Sequence, residues 1–217
     1  MFYFQEFNGK KILSSDMLTE VTAYFTTREA AVFPKAKRII RPIQTHSDNI
    51  EIVTDKTNYQ DTDGLILTNK NDAVCLKFAD CTPLIFYDTQ HKIGAVVHAG
   101  WRGTAAKIGL KTIEKMQAFC NSNPADIVAL IGPAIGICCY EVSEEVRDKL
   151  LDTVNNTNNL YKNRYVDLKQ INARQLEEAG VLKIDICPYC TSCNNDLFYS
   201  YRKENGTSER HYAVLRF

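Results

Sequence analysis

The chain has 217 residues, of which 45% are hydrophobic, and its equal numbers of acidic and basic residues give a formal net charge of zero. This length is enough to bury a core without disulfides, and the charge balance argues against a nucleic-acid binder, which carries a basic excess on one face. No apolar run is long enough to span a bilayer, and the amino-terminal segment lacks the basic start of a signal peptide, so we expect a cytoplasmic protein without membrane partners.

Apolar runs predict a series of strands in the first half of the chain, at residues 38–43, 64–68, 73–78, 83–87 and 93–98. The last run, IGAVVH, is almost continuously apolar, which is typical of a strand covered on both faces. Helical spacing begins after Gly103, where Ala106, Gly109, Leu110, Ile113, Met116 and Cys120 share one face. Residues 126–131 are predicted to form another buried strand.

Capping signals predict two helices in the second half of the chain. Ser143 is a suitable N-cap for a helix over residues 144–151, and Asp167 for a second helix that ends at Gly180. The carboxy-terminal region is predicted to form strands at 197–201 and 212–217 around a turn at Asn205-Gly206. Strands mixed with helices predict an α+β fold, and we expect residues 1–217 to form a single domain.

Three metal-binding side chains lie at the ends of predicted strands. His46 follows the first strand, Cys81 lies in a break between two strands, and His98 ends the IGAVVH strand. Two histidines and one cysteine form a known catalytic zinc set that leaves a fourth position for water or substrate. Spacing alone also allows a buried core cysteine and histidines that are merely hydrogen-bonded.

Around these residues the sequence closely resembles the YfiH-like family, which is also called the laccase-domain family. The motifs are QTH at 44–46, DGL at 63–65, ADCTP at 79–83 and HAGWRG at 98–103, with further matches at 131–135, 140–142, 175–181, 190–191 and 198–202. The resemblance implies a layered α-β-β-α sandwich and a metal held by His46, Cys81 and His98. The amino-terminal part is shorter than is usual in the family, so a role for Arg28 stays open.

The resemblance also implies a zinc-dependent purine nucleoside enzyme. Its substrates would be a purine nucleoside (adenosine, inosine, guanosine or methylthioadenosine) and phosphate. Its reactions would be phosphorolysis to the base and ribose 1-phosphate and, as a second activity, deamination of adenosine. The sequence does not rank these nucleosides, nor does it give the oligomeric state.

The older family name suggests a copper-dependent polyphenol oxidase as the alternative. Four histidines are too few for a multicopper cluster. A single copper with a His₂Cys set and a weak axial methionine stays possible on ligand type, although only Met17 and Met116 are internal. Zinc is therefore the preferred metal, and copper is the alternative.

Five further residues are candidates for the chemistry. Zinc makes hydroxide available near neutral pH, and Asp63 or Asp80 could move the protons, although Asp80 could equally cap a turn. Arg102 lies at a predicted helix start that favours phosphate, or it pairs with an aspartate. Trp101 could stack on the purine or belong to the core. Gln44 could bind the base or orient a ligand.

The eight cysteines include a run with the spacing of a metal site, Cys187, Cys190 and Cys193. Cys138 or Cys139 could supply a fourth ligand, which would make a metal-stabilised structural module the non-enzymatic alternative. Only the Cys190-Thr pair matches the family pattern, so we expect the run to be incidental thiols.

Overall fold

The computed structural model describes residues 1–29 and 31–217, which form fourteen strands and four α-helices. The strands are β1 (Phe2–Phe7), β2 (Lys10–Ser15), β3 (Thr22–Thr26), β4 (Ile39–Ile40), β5 (Ile50–Ile52), β6 (Gly64–Leu67), β7 (Ala73–Phe78), β8 (Thr82–Asp88), β9 (Ile93–Ala99), β10 (Ile127–Ile131), β11 (Tyr161–Lys162), β12 (Tyr165–Val166), β13 (Lys183–Ile186) and β14 (His211–Arg216). The helices are α1 (Trp101–Ala105), α2 (Ile108–Cys120), α3 (Glu144–Leu151) and α4 (Leu168–Glu178).

The first six-stranded sheet joins the two ends of the chain, in the order β1-β2-β3-β14-β7-β4. The final strand β14 lies between β3 and β7, so that Val214 is paired with Tyr24 on one side and with Cys75 on the other. All pairs in this sheet are antiparallel except β4 with β7.

The second six-stranded sheet has the order β13-β10-β8-β9-β6-β5, with the antiparallel pair β8–β9 at its centre. Every residue of β8 and β9 is buried. Val96 of β9 packs in the core between the two sheets, whereas its neighbours Ala95 and Val97 pack on the other face against the helices. The prediction of a strand covered on both faces is confirmed, and a continuous apolar run is what such burial requires.

The helices pack on the outer face of the second sheet, where Ile113 and Met116 of α2 and Leu176 of α4 share one core. The predicted α+β class is confirmed. On the outer face of the first sheet, Tyr24 and Val214 pack against Val32 and Phe33 of a loop rather than against a helix. None of the helices in the described residues is long and apolar enough to cross a membrane.

The predicted helix caps are confirmed for α3 and α4. The Ser143 side chain accepts a hydrogen bond from the Val146 amide, and the Asp167 side chain accepts one from the Gln170 amide. Gly180 has a φ of +89°, as expected of the residue after a helix end. The helical region predicted after Gly103 starts earlier, at Trp101, and is divided into α1 and α2 because Lys107 is left-handed with a φ of +58°.

Two strand predictions need correction, and several strands were missed. Residues 197–201 form turns and irregular structure rather than a strand, and the amide of buried Phe198 donates to the Asn194 carbonyl. Only Ile39–Ile40 of the predicted 38–43 strand pairs with a neighbour. Strands β1 to β3 were not predicted, although Asn8-Gly9, with both φ angles positive, is a hairpin signal between β1 and β2.

Candidate metal centre

Strand register brings two of the three predicted metal ligands together. In the β8–β9 pair, Thr82 lies opposite Ala99 and Pro83 lies opposite His98. Cys81 immediately precedes Thr82, so it lies at the same end of the sheet as His98. The break before β8 and the end of β9 therefore meet.

Asp63 connects this strand end to the third ligand. It directly precedes β6, whose Gly64 pairs with Val97 of β9, and its carbonyl accepts the His98 amide at 2.7 Å. Its fully buried carboxylate accepts the amides of Thr45, His46 and Ser47 at 3.1, 3.2 and 2.8 Å. These bonds hold His46 in a left-handed conformation with a φ of +62°.

The ligand-capable atoms of His46, Cys81 and His98 all lie within 4.8 Å of one another. Nδ1 of His98 lies 2.7 Å from a carboxylate oxygen of Asp63, which accepts a hydrogen bond from the Nδ1 proton and leaves Nε2 as the ligand atom. A Cβ on Gly100 would lie 3.0 Å from the Cys81 sulfur and 3.2 Å from Nδ1 of His46, so a glycine keeps the space beside the ligands clear. This donor set and its surroundings fit a metal ion with three protein ligands.

The charges of this cluster favour the thiolate form of the cysteine. Burial raises the pKa of Cys81, but the neighbouring His98 and His46 outweigh it and lower that pKa to about 6. Burial lowers the pKa of His98, but Cys81 and Asp63 outweigh it and raise that pKa to about 9. A thiolate is the form in which cysteine binds a metal, so Cys81 is already in its ligand form, whereas His98 releases a proton when an ion binds.

The second candidate acid, Asp80, lies next to Cys81 but is engaged in bonds that hold the surrounding loops. It is 8% exposed and has a φ of +82°. Its carboxylate accepts the Thr191 hydroxyl at 2.6 Å and the Arg202 amide at 2.7 Å. These contacts favour the turn-holding interpretation over proton transfer.

Asp63 is likewise occupied as an acceptor. Burial raises its pKa, but hydrogen bonds from His98, Thr45 and Ser47 outweigh this and keep the pKa below its usual range. An ionised carboxylate that accepts this many bonds orients its neighbours and has no proton to donate near neutral pH. Its predicted role as a proton shuttle stays a prediction, and its contacts favour positioning.

A pocket of about 540 Å³ opens over the cluster and is lined by His46, Cys81 and His98. Its walls carry three aromatic side chains and three cationic ones: Trp101, Tyr140, Tyr201, Lys77, Arg202 and Arg210. Burial raises the pKa of Tyr140 above its ordinary value, so its hydroxyl stays protonated and can donate a hydrogen bond. Apart from Trp101, sequence reasoning missed these residues; Tyr140 and Arg202 lay within matched motifs, but no local pattern marked Arg210.

The remaining predicted binding residues lie at or beside the pocket. Gln44 lines it, but its amide bonds both the backbone amide and the carbonyl of Lys77, at 2.9 and 3.0 Å, so it positions Lys77. Trp101 also lines it, at the start of α1. Arg102 is exposed, is not among the lining residues, and lies over the Trp101 ring at 4.5 Å.

Arg28, whose role the sequence left open, lies outside this pocket and has structural contacts. Its guanidinium pairs with Glu204 at 2.8 Å, donates to the Asn195 carbonyl at 3.0 Å and stacks over Tyr199 at 4.4 Å. It therefore ties the end of β3 to the turn-rich segment before β14.

The other histidines and the methionines lie away from the cluster. His91 is hydrogen-bonded to Asp88 at 2.9 Å, and His211 is fully buried between Phe78 and Phe198.

The internal methionines are core residues. Met116 is buried in the helix-side core, and Met17 packs against the core between the sheets. Because two of the four histidines belong to the cluster and no methionine lines the pocket, the described residues do not provide a multicopper or blue-copper ligand set.

Comparison with known proteins adds a family and named relatives. A protein-family model described as "Multi-copper polyphenol oxidoreductase laccase" matches residues 3–217. Purine nucleoside phosphorylase YlmD of Bacillus subtilis (strain 168) is 35% identical over 184 residues, which cover 77% of this chain and 66% of that protein. The aligned part thus spans just under two thirds of the length of that relative.

Two solved structures share the fold over almost the whole of both chains. The hypothetical protein YfiH of Bacillus licheniformis has a TM-score of 0.89 and 30% identity, and covers 99% of this chain and 98% of its own. YlmD from Geobacillus stearothermophilus has a TM-score of 0.90 and 28% identity, with coverages of 100% and 99%.

Proposed function

The chain belongs to the laccase-domain (YfiH) family, and from this premise we propose that it is a metal-dependent purine nucleoside phosphorylase. The Bacillus relative carries that name. In the proposed reaction, the bond between the sugar C1′ and the purine nitrogen breaks and a phosphate oxygen bonds to C1′. The products are the free base and ribose 1-phosphate.

The observation that carries this proposal is the composition of the pocket over the metal cluster. A purine is a flat aromatic ring, which stacks on rings such as those of Trp101, Tyr140 and Tyr201. Phosphate is an anion, and Lys77, Arg202 and Arg210 supply positive charge within the same pocket. The pocket volume of about 540 Å³ suits a nucleoside with phosphate beside it.

The leaving base needs a proton or a hydrogen bond, because it departs with the electrons of the broken bond. Tyr140 lines the pocket with a protonated hydroxyl and is our candidate donor to the purine. Asp63 and Asp80 act in this proposal by holding His98 and the pocket loops, respectively. Arg102, beside Trp101, remains a second candidate for phosphate at the pocket edge.

His46, Cys81 and His98 would hold the metal, for which we propose zinc. A zinc ion with three protein ligands supplies a Lewis acid with a position open to water or substrate. On this basis we also propose deamination of adenosine in the same pocket, in which water replaces the 6-amino group and ammonia leaves. Trp101 and Tyr140 would hold the base in both reactions.

Copper-dependent oxidation of phenols is the second candidate, because the family description names it. The ligands oppose it. The cluster offers two imidazoles and one thiolate, and the other two histidines are engaged elsewhere. A one-electron oxidase with several coppers needs more imidazoles than this chain provides.

The proposal is tested by incubating the purified chain with inosine, guanosine or adenosine, with and without phosphate, and separating the products. We expect base and ribose 1-phosphate in equal amounts, only when phosphate is present, and inosine from adenosine. His98→Ala should abolish both activities, and His91→Ala, which changes an exposed histidine outside the pocket, should retain them. Stoichiometric copper with oxygen-dependent oxidation of a phenol, and no base release, would establish the second candidate instead.

A further inference from the structure

Two backbone turns bring four cysteines together in a group separate from the metal centre described above. The first turn carries Cys138 and Cys139, and the amides of Cys139 and Tyr140 both donate to the Gly136 carbonyl at 2.9 Å. The second carries Cys190 and Cys193, and the Asn194 amide donates to the Cys190 carbonyl at 2.8 Å. The turns are joined by the Thr191 amide, which donates to the Ala134 carbonyl at 3.0 Å.

The four sulfur atoms have the spacing of a mononuclear metal site. The Sγ atoms of Cys138, Cys139, Cys190 and Cys193 all lie within 4.8 Å of one another. The Cys193 sulfur is 3.5 Å from those of Cys138 and Cys139. A zinc–sulfur bond of about 2.3 Å places the sulfurs of a tetrahedral site about 3.8 Å apart, which is close to this arrangement.

Gly136 both makes room for the cluster and donates to it. A Cβ at Gly136 would lie 3.1 Å from the Cβ of Cys190 and 3.4 Å from the Cys138 sulfur, so a larger residue would press on two members. The Gly136 amide lies 3.1 Å from the Cys190 sulfur and donates to it. Backbone donors of this kind stabilise the negative charge of metal-bound thiolates.

We propose that Cys138, Cys139, Cys190 and Cys193 bind one zinc ion as a four-thiolate structural site. Four protein ligands fill the tetrahedron, so no position is open for catalysis. The thiols release their protons to solvent as the ion binds. Cys138 and Cys193 are exposed, which gives the ion a path from solvent.

The geometry differs from the pattern visible in the sequence. Cys187, the first member of the Cys187–Cys190–Cys193 run, is fully buried in the core between the sheets and does not belong to the cluster. Both Cys138 and Cys139 belong to it instead. The expectation of incidental thiols does not explain why four of the eight cysteines converge.

The position of the cluster gives the proposed ion a structural role in the pocket wall. Tyr140 follows Cys139 in the chain, and Thr191, which bonds the Asp80 carboxylate, follows Cys190. The Arg202 guanidinium donates to the Cys139 carbonyl at 3.4 Å. An ion that joins the two turns therefore fixes the segments that carry Tyr140 and Arg202 into the pocket.

The test is the zinc content of the full chain, purified with reductant and without chelator, measured by mass spectrometry of the metal. Cys193→Ala should contain one zinc per chain less than the wild type. The matched control Cys187→Ala, from the same run, should contain as much as the wild type. Cys81→Ala should keep the zinc of the four-cysteine site, which makes the result independent of the proposed enzymatic activity. Equal zinc in Cys193→Ala and the wild type would overturn the proposal.

A second measurement on the wild type avoids any folding defect in the variants. The zinc-loaded chain is treated with a thiol-alkylating reagent, and modified cysteines are identified by peptide mass spectrometry. We expect Cys138 and Cys193 to be protected, although they are exposed, and to react once a chelator removes the zinc. Partly exposed Cys120 should react equally in both samples. Rapid alkylation of Cys138 and Cys193 before chelation would refute the four-thiolate site.

Discussion

The carboxylate of Asp63 lies 2.7 Å from Nδ1 of His98, and the oxygen that makes this bond also accepts the His46 amide at 3.2 Å. One buried side chain thus orients both histidines of the candidate metal centre. An outer carboxylate of this kind fixes the tautomer of the ligand histidine and raises its basicity.

Replacing Asp63 by asparagine should weaken metal binding. The amide of Asp63→Asn has one acceptor oxygen where the carboxylate has two, so it cannot keep the bonds to Thr45, Ser47 and His98 together. We expect metal affinity to fall by about 10- to 100-fold, measured by competition with a chelator, and activity to fall with it. Asp61→Asn, in an exposed residue of the same loop, is the matched control and should keep wild-type affinity. Equal affinities in the two variants would contradict this role.

A methyl group at Gly100 should weaken metal binding while the fold persists. The Cβ of Gly100→Ala would press on the Cys81 sulfur and the His46 ring, and the backbone, with a φ of −69°, accepts alanine. Crowding of this kind costs about 1–3 kcal/mol, enough to weaken metal binding roughly tenfold. Gly109→Ala in α2 is the control, because its Cβ would meet only side-chain ends away from the metal centre, those of Leu84, Leu176 and Phe86 at 3.2, 3.6 and 3.9 Å. Wild-type metal affinity in Gly100→Ala, measured by competition with a chelator, would show that this space is not needed.

The cations of the pocket should bind phosphate. Arg210→Met removes a guanidinium that lines the pocket, and the loss of a charged hydrogen bond costs about 1.5–3 kcal/mol. We expect the KM for phosphate to rise about 10- to 100-fold, with a smaller change in the KM for the nucleoside. Arg102→Met is the comparison, because Arg102 lies over Trp101 and does not line the pocket. If Arg102→Met raised the KM for phosphate more than Arg210→Met does, the phosphate site would lie at the start of α1 instead.

Folding stability should fall in mild acid because of His211. Burial lowers the pKa of this histidine to about 3, and the backbone of Pro133 offsets only part of that effect. The unfolded chain binds the proton near pH 6.5, so the neutral imidazole's contribution is fully present above that pH and declines as the pH falls towards 3. The decline is about 1.4 kcal/mol per pH unit in the middle of this range.

Denaturant unfolding from pH 7 to pH 4 checks this prediction. His211→Leu should lose less stability over the range than the wild type. His91→Gln changes an exposed histidine and should not reduce the loss. If the free energy of unfolding of His211→Leu fell with pH as steeply as that of the wild type, another group would govern the acid response.

Local signals in the sequence were enough for the features that depend on a few neighbouring residues. Capping side chains placed α3 and α4, and a continuous apolar run placed β9, because each signal acts within its own element. The Asn8-Gly9 turn was equally local and was overlooked.

The features that could not be predicted from the sequence depend on pairing between residues far apart in the chain. Cys81 approaches His98 because of the β8–β9 register, and Arg210 reaches the pocket because β14 is inserted into the first sheet. The cysteines at 138–139 and 190–193 are about fifty residues apart and meet only through the two turns. Such contacts leave no periodicity or spacing in the chain. The position of the metal ligands at strand ends was therefore one interpretation among others until the family motifs singled them out.

The most direct test of the proposed function is the phosphate dependence of inosine cleavage by the metal-loaded chain, with hypoxanthine and ribose 1-phosphate measured in the same sample. We predict equal amounts of the two products, none without phosphate, and none from His98→Ala. Hypoxanthine released equally without phosphate, or undiminished in His98→Ala, would contradict phosphorolysis at the His46–Cys81–His98 centre.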